Sequence, residues 1–141
     1  MKYRKLGHTG FEVSAVVYGG IVSMAHGDGR VYQDNGQAAS DRCVSWAIDR
    51  GINYFDVAPT YGDAQLMLGN SLKPYRKDIF LACKTEERER TRAESLMRES
   101  LRLLHTDYFD IYQMHALTTM RDIEIAFGPG GVMEMMRDMK E

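Results

Sequence analysis

The feature that most constrains this chain is a change of hydrophobic period along it. Short β-branched and aromatic runs alternate with stretches whose apolar residues recur at helical spacing. The short runs fall at residues 15–20, 52–57, 78–84 and 108–115, and the helical stretches at 37–50, 64–73 and 92–105. Val44, Ala47 and Ile48, with Cys43 beside them, mark the first helix, and Gly51 is its expected C-cap. The second is expected to stop at Pro74. The third carries Leu96, Met97, Leu101 and Leu104 on one face and a favourable Glu94/Arg98 pair on another. A weak helix at 120–126, a break at 127–131 and a helical segment at 132–140 follow. Residues 2–6 and 11–14, around Gly7-His8-Thr9-Gly10, read as a leading β-hairpin, and the polar residues 23–36 as a loop. Strand and helix thus repeat, with crossovers long enough for a parallel sheet covered by helices. The pattern predicts an α/β fold, either an open doubly wound sheet or a barrel. The first strand, ending Tyr18-Gly19-Gly20-Ile21, lacks the glycine fingerprint that opens a dinucleotide-binding helix in the open fold.

In parallel α/β folds, functional groups collect at the C-terminal ends of the strands. Here those ends carry Gly19-Gly20, then Asp56 with Tyr61 in the following loop, then Lys84, then His115. Singly, each has an ordinary structural reading: the aspartate as a turn residue, the tyrosine as packing, the lysine as a solvated terminus, the histidine as a hydrogen-bonded core residue. Together they place ionisable groups at equivalent points of successive units, where an unpaired charge is costly. That arrangement calls for a functional account.

Composition narrows the partners. With 44% hydrophobic and 27% charged residues in 141, the chain is an ordinary globular one. A net charge of -2, with bases dispersed among acids, offers nothing to a polyanion, so nucleic acid is not an expected partner. No apolar run is long enough for a bilayer, so neither is a membrane. Cys43 and Cys83 form no C-x-x-C pair or disulfide framework, which predicts a cytoplasmic protein. His8, His26 and His105 have no metal-like spacing with the cysteines, and no metal is expected. The ten methionines, four of them Met133, Met135, Met136 and Met139, are read as adaptable packing.

Gly51-Ile52-Asn53-Tyr54-Phe55-Asp56-Val57-Ala58-Pro59-Thr60-Tyr61-Gly62, continued by Leu68-Gly69, closely resembles the aldo-keto reductase signature around the catalytic aspartate and tyrosine. Ile79-Phe80-Leu81-Ala82-Cys83-Lys84-Thr85 is similar to that family's catalytic-lysine strand. Thr106-Asp107-Tyr108-Phe109-Asp110-Ile111-Tyr112-Gln113-Met114-His115 is similar to its histidine strand. The resemblance implies a TIM (β/α)8 barrel that uses NADPH, or NADH, to reduce aldehydes or ketones to alcohols. Hydride adds to the carbonyl carbon while a proton must reach the oxygen, and a tyrosine with an ordinary pKa of about 10 is a poor acid unless its neighbours tune it. The resemblance makes Tyr61 the proton donor, Lys84 the cation that stabilises tyrosinate, Asp56 its ion-pair partner, and His115 the group that orients the carbonyl. Gly20 and Asp56 are the expected cofactor contacts.

A complete barrel needs about 250 residues, and only four barrel strands are counted here. The expectation is one partial barrel domain over residues 1–141, the N-terminal half with its leading hairpin, truncated before the fifth strand. Most groups that hold the cofactor's pyrophosphate and adenosine would lie in later strands, so this fragment is expected to be inactive alone. Open sheet edges would favour homo-oligomers. The alternatives are a non-catalytic binding or regulatory subunit and a self-associating half-barrel. Gln65 stands where many relatives have glutamate, and Ala116-Leu117 where some have Trp-Pro.

Overall fold

The computed structural model describes residues 1–23 and 36–140. The loop expected at 23–36, apart from its two end residues, and His26 lie outside the described residues. Strands β1 (Tyr3–Lys5) and β2 (Glu12–Ser14) pair antiparallel, with Arg4 opposite Val13. The expected hairpin is therefore present. Asn53 latches it to the rest of the chain: its side-chain oxygen accepts from the Ser14 amide at 2.7 Å, and its Nδ2 donates to the Glu12 carbonyl at 3.1 Å. Phe11 stacks obliquely on Phe80 with ring centroids 4.7 Å apart, so the hairpin covers the beginning of the main sheet.

That sheet is parallel, in the order β3 (Tyr18–Gly19), β4 (Tyr54–Asp56), β5 (Phe80–Thr85), β6 (Ile111–Met114). Helix α1 (Gln37–Asp49) follows β3, α2 (Ala64–Leu72) follows β4, and α3 (Arg90–Leu103) follows β5; α4 (Met120–Phe127) and α5 (Val132–Asp138) follow β6. The result is α/β, a partial barrel of four parallel strands with helices. Side chains alternate across a strand. Phe55, Val57, Leu81 and Cys83 accordingly pack with Val44, Ala47, Leu68 and Leu72 of α1 and α2. Tyr54, Asp56, Phe80, Lys84 and Ile111 face the other way and keep partial exposure. A second cluster joins Ala93, Ala126, Val132 and Met135, with Met97, Met114 and Met136 packed against it. The last helix's methionines thus pack in part, as expected, while Met139 stays exposed. Among the described residues no helix is long and apolar enough to cross a membrane.

Several boundaries differ from expectation for identifiable reasons. The expected buried strand at 15–20 shrinks to Tyr18 and Gly19, with Val16 and Val17 exposed. β3 is the edge strand, paired only with β4 among the described residues, and Ala15 and Val16 instead bond back to Lys2 and Ser14 of the hairpin. His105 is not helical. It takes the left-handed conformation (φ 52°) just past α3, where the Thr106 amide bonds back to the Leu101 carbonyl. Gly51, by contrast, ends α1 as expected, at φ 82° with its amide on the Ile48 carbonyl. α2 stops before Pro74, and a 3-10 turn, Lys73–Asp78, carries the proline in its first turn, where no amide donor is required. β6 starts at Ile111: the Asp110 amide still bonds across to the Leu81 carbonyl, but the Tyr108 carbonyl accepts from Arg76.

Candidate active site

The parallel register brings three of the expected residues together on the inner face. Asp56 lies opposite Ala82, so Lys84, two residues further along β5, points to the same side. Lys84 lies opposite Gln113, and His115, two residues beyond Gln113, again shares that side. Each strand thus offers its polar group one step further along than its neighbour. The Lys84 ammonium donates to Asp56 Oδ2. These side chains are 14% and 25% exposed, enough shielding to make the pair matter to both partners.

Tyr61 comes from the loop between β4 and α2, a tight turn in which the Tyr61 amide donates to the Ala58 carbonyl and the Ala64 amide to the Tyr61 carbonyl. This turn folds the ring back over the sheet. Lys84 Nζ lies 5.6 Å from the ring centroid, and the His115 imidazole meets the ring edge-on at 6.0 Å. Thr60, quoted in the sequence motif but given no role there, places its hydroxyl 3.5 Å from His115 Nδ1. All four expected polar residues therefore gather at the C-terminal end of the sheet. Tyr54 shares the inner face, and burial, followed by the nearby Asp56 carboxylate, holds its phenol above the usual range.

Gly20 opens a 3-10 turn after β3 and is buried. A Cβ there would stand 2.8 Å from the Asp56 carbonyl oxygen and 3.0 Å from the Val57 side chain. Its absent side chain thus lets this turn close on the residue that holds Lys84. Gly19, one residue earlier, has open space where a side chain would project.

The sequence reading missed Arg88. Its Nη2 donates to the carbonyls of His115 (2.6 Å) and Ala116 (3.0 Å), and its Nη1 to that of Thr85 (3.3 Å). Nothing in Glu86-Glu87-Arg88-Glu89-Arg90 separates such a residue from a solvated charge run. Among the described residues no group of three or more His, Cys, Asp or Glu could hold a metal ion.

Known proteins share this arrangement of strands. The family model described as the aldo/keto reductase family matches residues 20–141. Aldo-keto reductase YhdN of Bacillus subtilis is 32% identical over 129 residues, which cover 82% of this chain and 38% of that protein. L-galactose dehydrogenase of Arabidopsis thaliana is 34% identical over 126 residues, with the same 82% and 38% coverage. The holo form of aldo-keto reductase AKR11C1 from Bacillus halodurans superposes with a TM-score of 0.68 at 29% identity, covering 81% of this chain and 40% of that one. A Pseudomonas aeruginosa structure superposes at 0.83 over 98% of this chain and 55% of its own, and at 23% identity it bears on the fold alone. The chain spans about two fifths of the length of the curated relatives it matches, 38% and 42% in the first two. With the family model matching most of the chain, the protein belongs to the aldo/keto reductase family.

Proposed function

We propose that this chain carries the proton-handling half of an NADPH-dependent reduction of aldehydes or ketones to alcohols. The observation that carries the reading is the Asp56 and Lys84 ion pair set beside the Tyr61 ring, with His115 on that ring's edge. Tyr61 donates the proton to the carbonyl oxygen. Lys84 stabilises the tyrosinate that forms, because a cation close to a developing phenolate in a partly desolvated site acts more strongly than it would in water. Asp56 fixes that ammonium, and His115 directs the carbonyl oxygen toward the Tyr61 hydroxyl. A bound reduced nicotinamide would supply the hydride, the chemistry that the family's cofactors provide. The residues present fit its reactive end: Asp56 and Gly20 would border it, and among the described residues, chain neighbours aside, no atom lies within 4 Å of where a Gly19 side chain would begin.

In this reading residues 1–141 form one partial barrel domain, and catalysis also requires groups that hold the cofactor's phosphates and adenosine. A cytoplasmic location belongs to the same proposal, since Cys43 and Cys83 are both free thiols. The test is NADPH oxidation by the complete protein with a panel of aldehydes and ketones, repeated on Tyr61→Phe. Turnover in the wild type, abolished in the variant with cofactor binding retained, is the expected result. Near-normal turnover in the variant would remove Tyr61 as the acid, and a wild type inert to every carbonyl would remove the reading.

A second reading, self-association of the chain, is favoured by exposed Val16, Val17, Ile21 and Val22 beside the β3 edge. Sedimentation of the isolated chain tests it: a compact dimer is expected, and a stable monomer at high concentration rejects it.

A further inference from the structure

We propose that Arg88 is a positioning residue that ties together the ends of β5 and β6, and so fixes His115 relative to Lys84. The inference rests on the proposed active site only for its kinetic consequence. Ladder pairing between β5 and β6 ends with the His115 amide on the Thr85 carbonyl at 2.8 Å. Beyond that bond the carbonyls of His115 and Ala116 turn toward one point, the Arg88 Nη2, and Ala116 does so with a left-handed φ of 50°. Converging carbonyl dipoles repel one another unless a cation lies between them, and a planar guanidinium can serve several acceptors at once. Nη1 of the same group reaches the Thr85 carbonyl, next in sequence to Lys84. One side chain thereby bonds the residue after Lys84, His115 itself and the residue after His115.

The backbone that carries Arg88 is held from behind, and the buried Arg88 Nε has an ion-pair partner but no hydrogen bond among the described residues. That Nε lies 3.7 Å from Asp122 Oδ1 in the first turn of α4, and the Arg88 side chain is 11% exposed. Its own carbonyl accepts from the Val132 amide at 2.8 Å, and the Arg90 amide bonds to the Gly130 carbonyl at 2.9 Å. The stretch before α5 thus fixes the backbone from which the guanidinium reaches forward. The same two strands have a counterpart at their other end, where Arg76 binds Asp110, the Tyr108 carbonyl and the Ile79 carbonyl. Arg76 is far from the proposed chemistry and supplies the control.

The test uses the complete protein with labelled histidine, comparing Arg88→Met, Arg88→Lys and Arg76→Met at a temperature where all are folded. The His115 ring resonances, identified by their loss in His115→Asn, should move in Arg88→Met, move less in Arg88→Lys and stay in place in Arg76→Met. Carbonyl reduction should fall on the order of 100-fold in kcat in Arg88→Met, the size expected of a misplaced catalytic group. KM for NADPH should hardly change, and Arg88→Lys should recover part of the loss. An unmoved His115 signal in Arg88→Met overturns the proposal, as does an equal displacement in Arg76→Met. If Arg88→Met does not fold, Arg88→Lys decides, and there an unmoved signal with unchanged kcat overturns it. Displaced resonances in a protein that reduces no carbonyl would uphold the positioning role while rejecting the proposed function.

Discussion

Asp56 and Lys84 meet across neighbouring parallel strands because the register sets them two residues apart on one face, and the lysine ammonium closes that gap onto the carboxylate. Neither side chain lies in bulk water, so removing one partner strands the other. Asp56→Asn and Lys84→Met should each cost about 1–3 kcal/mol, less than a fully buried pair because both groups keep some solvent. The double variant should cost less than the sum of the two, because no uncompensated charge remains. On the proposed function, carbonyl reduction should in contrast be lost in all three. Urea unfolding of the four proteins measures the coupling, and strictly additive losses would show that the contact contributes nothing to stability.

Asp110 holds the opposite end of the same strands. Its Oδ2 accepts from Arg76 Nη2 and from the Leu81 amide, both at 2.9 Å, while the Arg76 guanidinium lies 3.8 Å from the centroid of the Tyr108 ring. With the two side chains 11% and 14% exposed, Asp110→Ala leaves the Arg76 charge without its counter-ion and the Leu81 amide without its acceptor. A loss of about 3–5 kcal/mol is expected, against about 1–2 kcal/mol for Asp110→Asn, which keeps an acceptor but not the charge. Denaturant midpoints measure both, and an alanine variant within about 1 kcal/mol of wild type contradicts this account.

Much of this arrangement is legible in the sequence because it follows from alternation. Asp56, Lys84 and His115 end successive apolar runs, and the order of strands along the chain is their order in the sheet. What composition hides is how each backbone polar group is satisfied. The β-branched run at 15–17 looks like a core strand, yet its hydrogen bonds return to the hairpin. His105 carries no glycine-like signal, although it occupies the left-handed position after α3, where its Nε2 lies 2.9 Å from Asn70 Oδ1. Arg88 and Arg76 are hidden for a related reason: both act on main-chain carbonyls, and a sequence gives no sign of which carbonyls converge.

Gly69 sets two physical effects against each other. In a helix interior, Gly→Ala ordinarily stabilises by about 1 kcal/mol. Here a Cβ would lie 2.3 Å from the Leu103 carbonyl oxygen and 2.7 Å from the Leu104 Cα, backbone atoms at the end of α3 that cannot swing aside. Overpacking of this kind costs about 1–3 kcal/mol and should outweigh the propensity gain. Gly69→Ala is therefore expected to lower the melting temperature, and a variant that melts higher would mean that α2 and α3 do not pack this closely.

The two thiols should behave as different chemical species. Cys43 is exposed, whereas Cys83 is fully buried between the sheet and its helices, with Gln65 Nε2 donating to its sulfur at 3.5 Å. Burial is the main cause that pushes the Cys83 thiol from 9.0 to about 11, against smaller opposing contributions led by the hydrogen bond to the Lys84 backbone. Since the thiolate is the reactive form, a disulfide reagent at mildly alkaline pH should modify one thiol per native chain and two per unfolded chain. The same shift sets a pH dependence. Below about pH 9 both folded and unfolded chains keep the proton, and the native state loses nothing. Between about 9 and 11 only the unfolded chain ionises, so stability falls as pH rises, by about 2–3 kcal/mol over that window. Tyr112, opposite Cys83 on β6 and also raised above its ordinary range mainly by burial, acts in the same direction at higher pH. Urea midpoints across this range should decline less in Cys83→Ala than in wild type, and parallel declines would assign the alkaline instability to other groups.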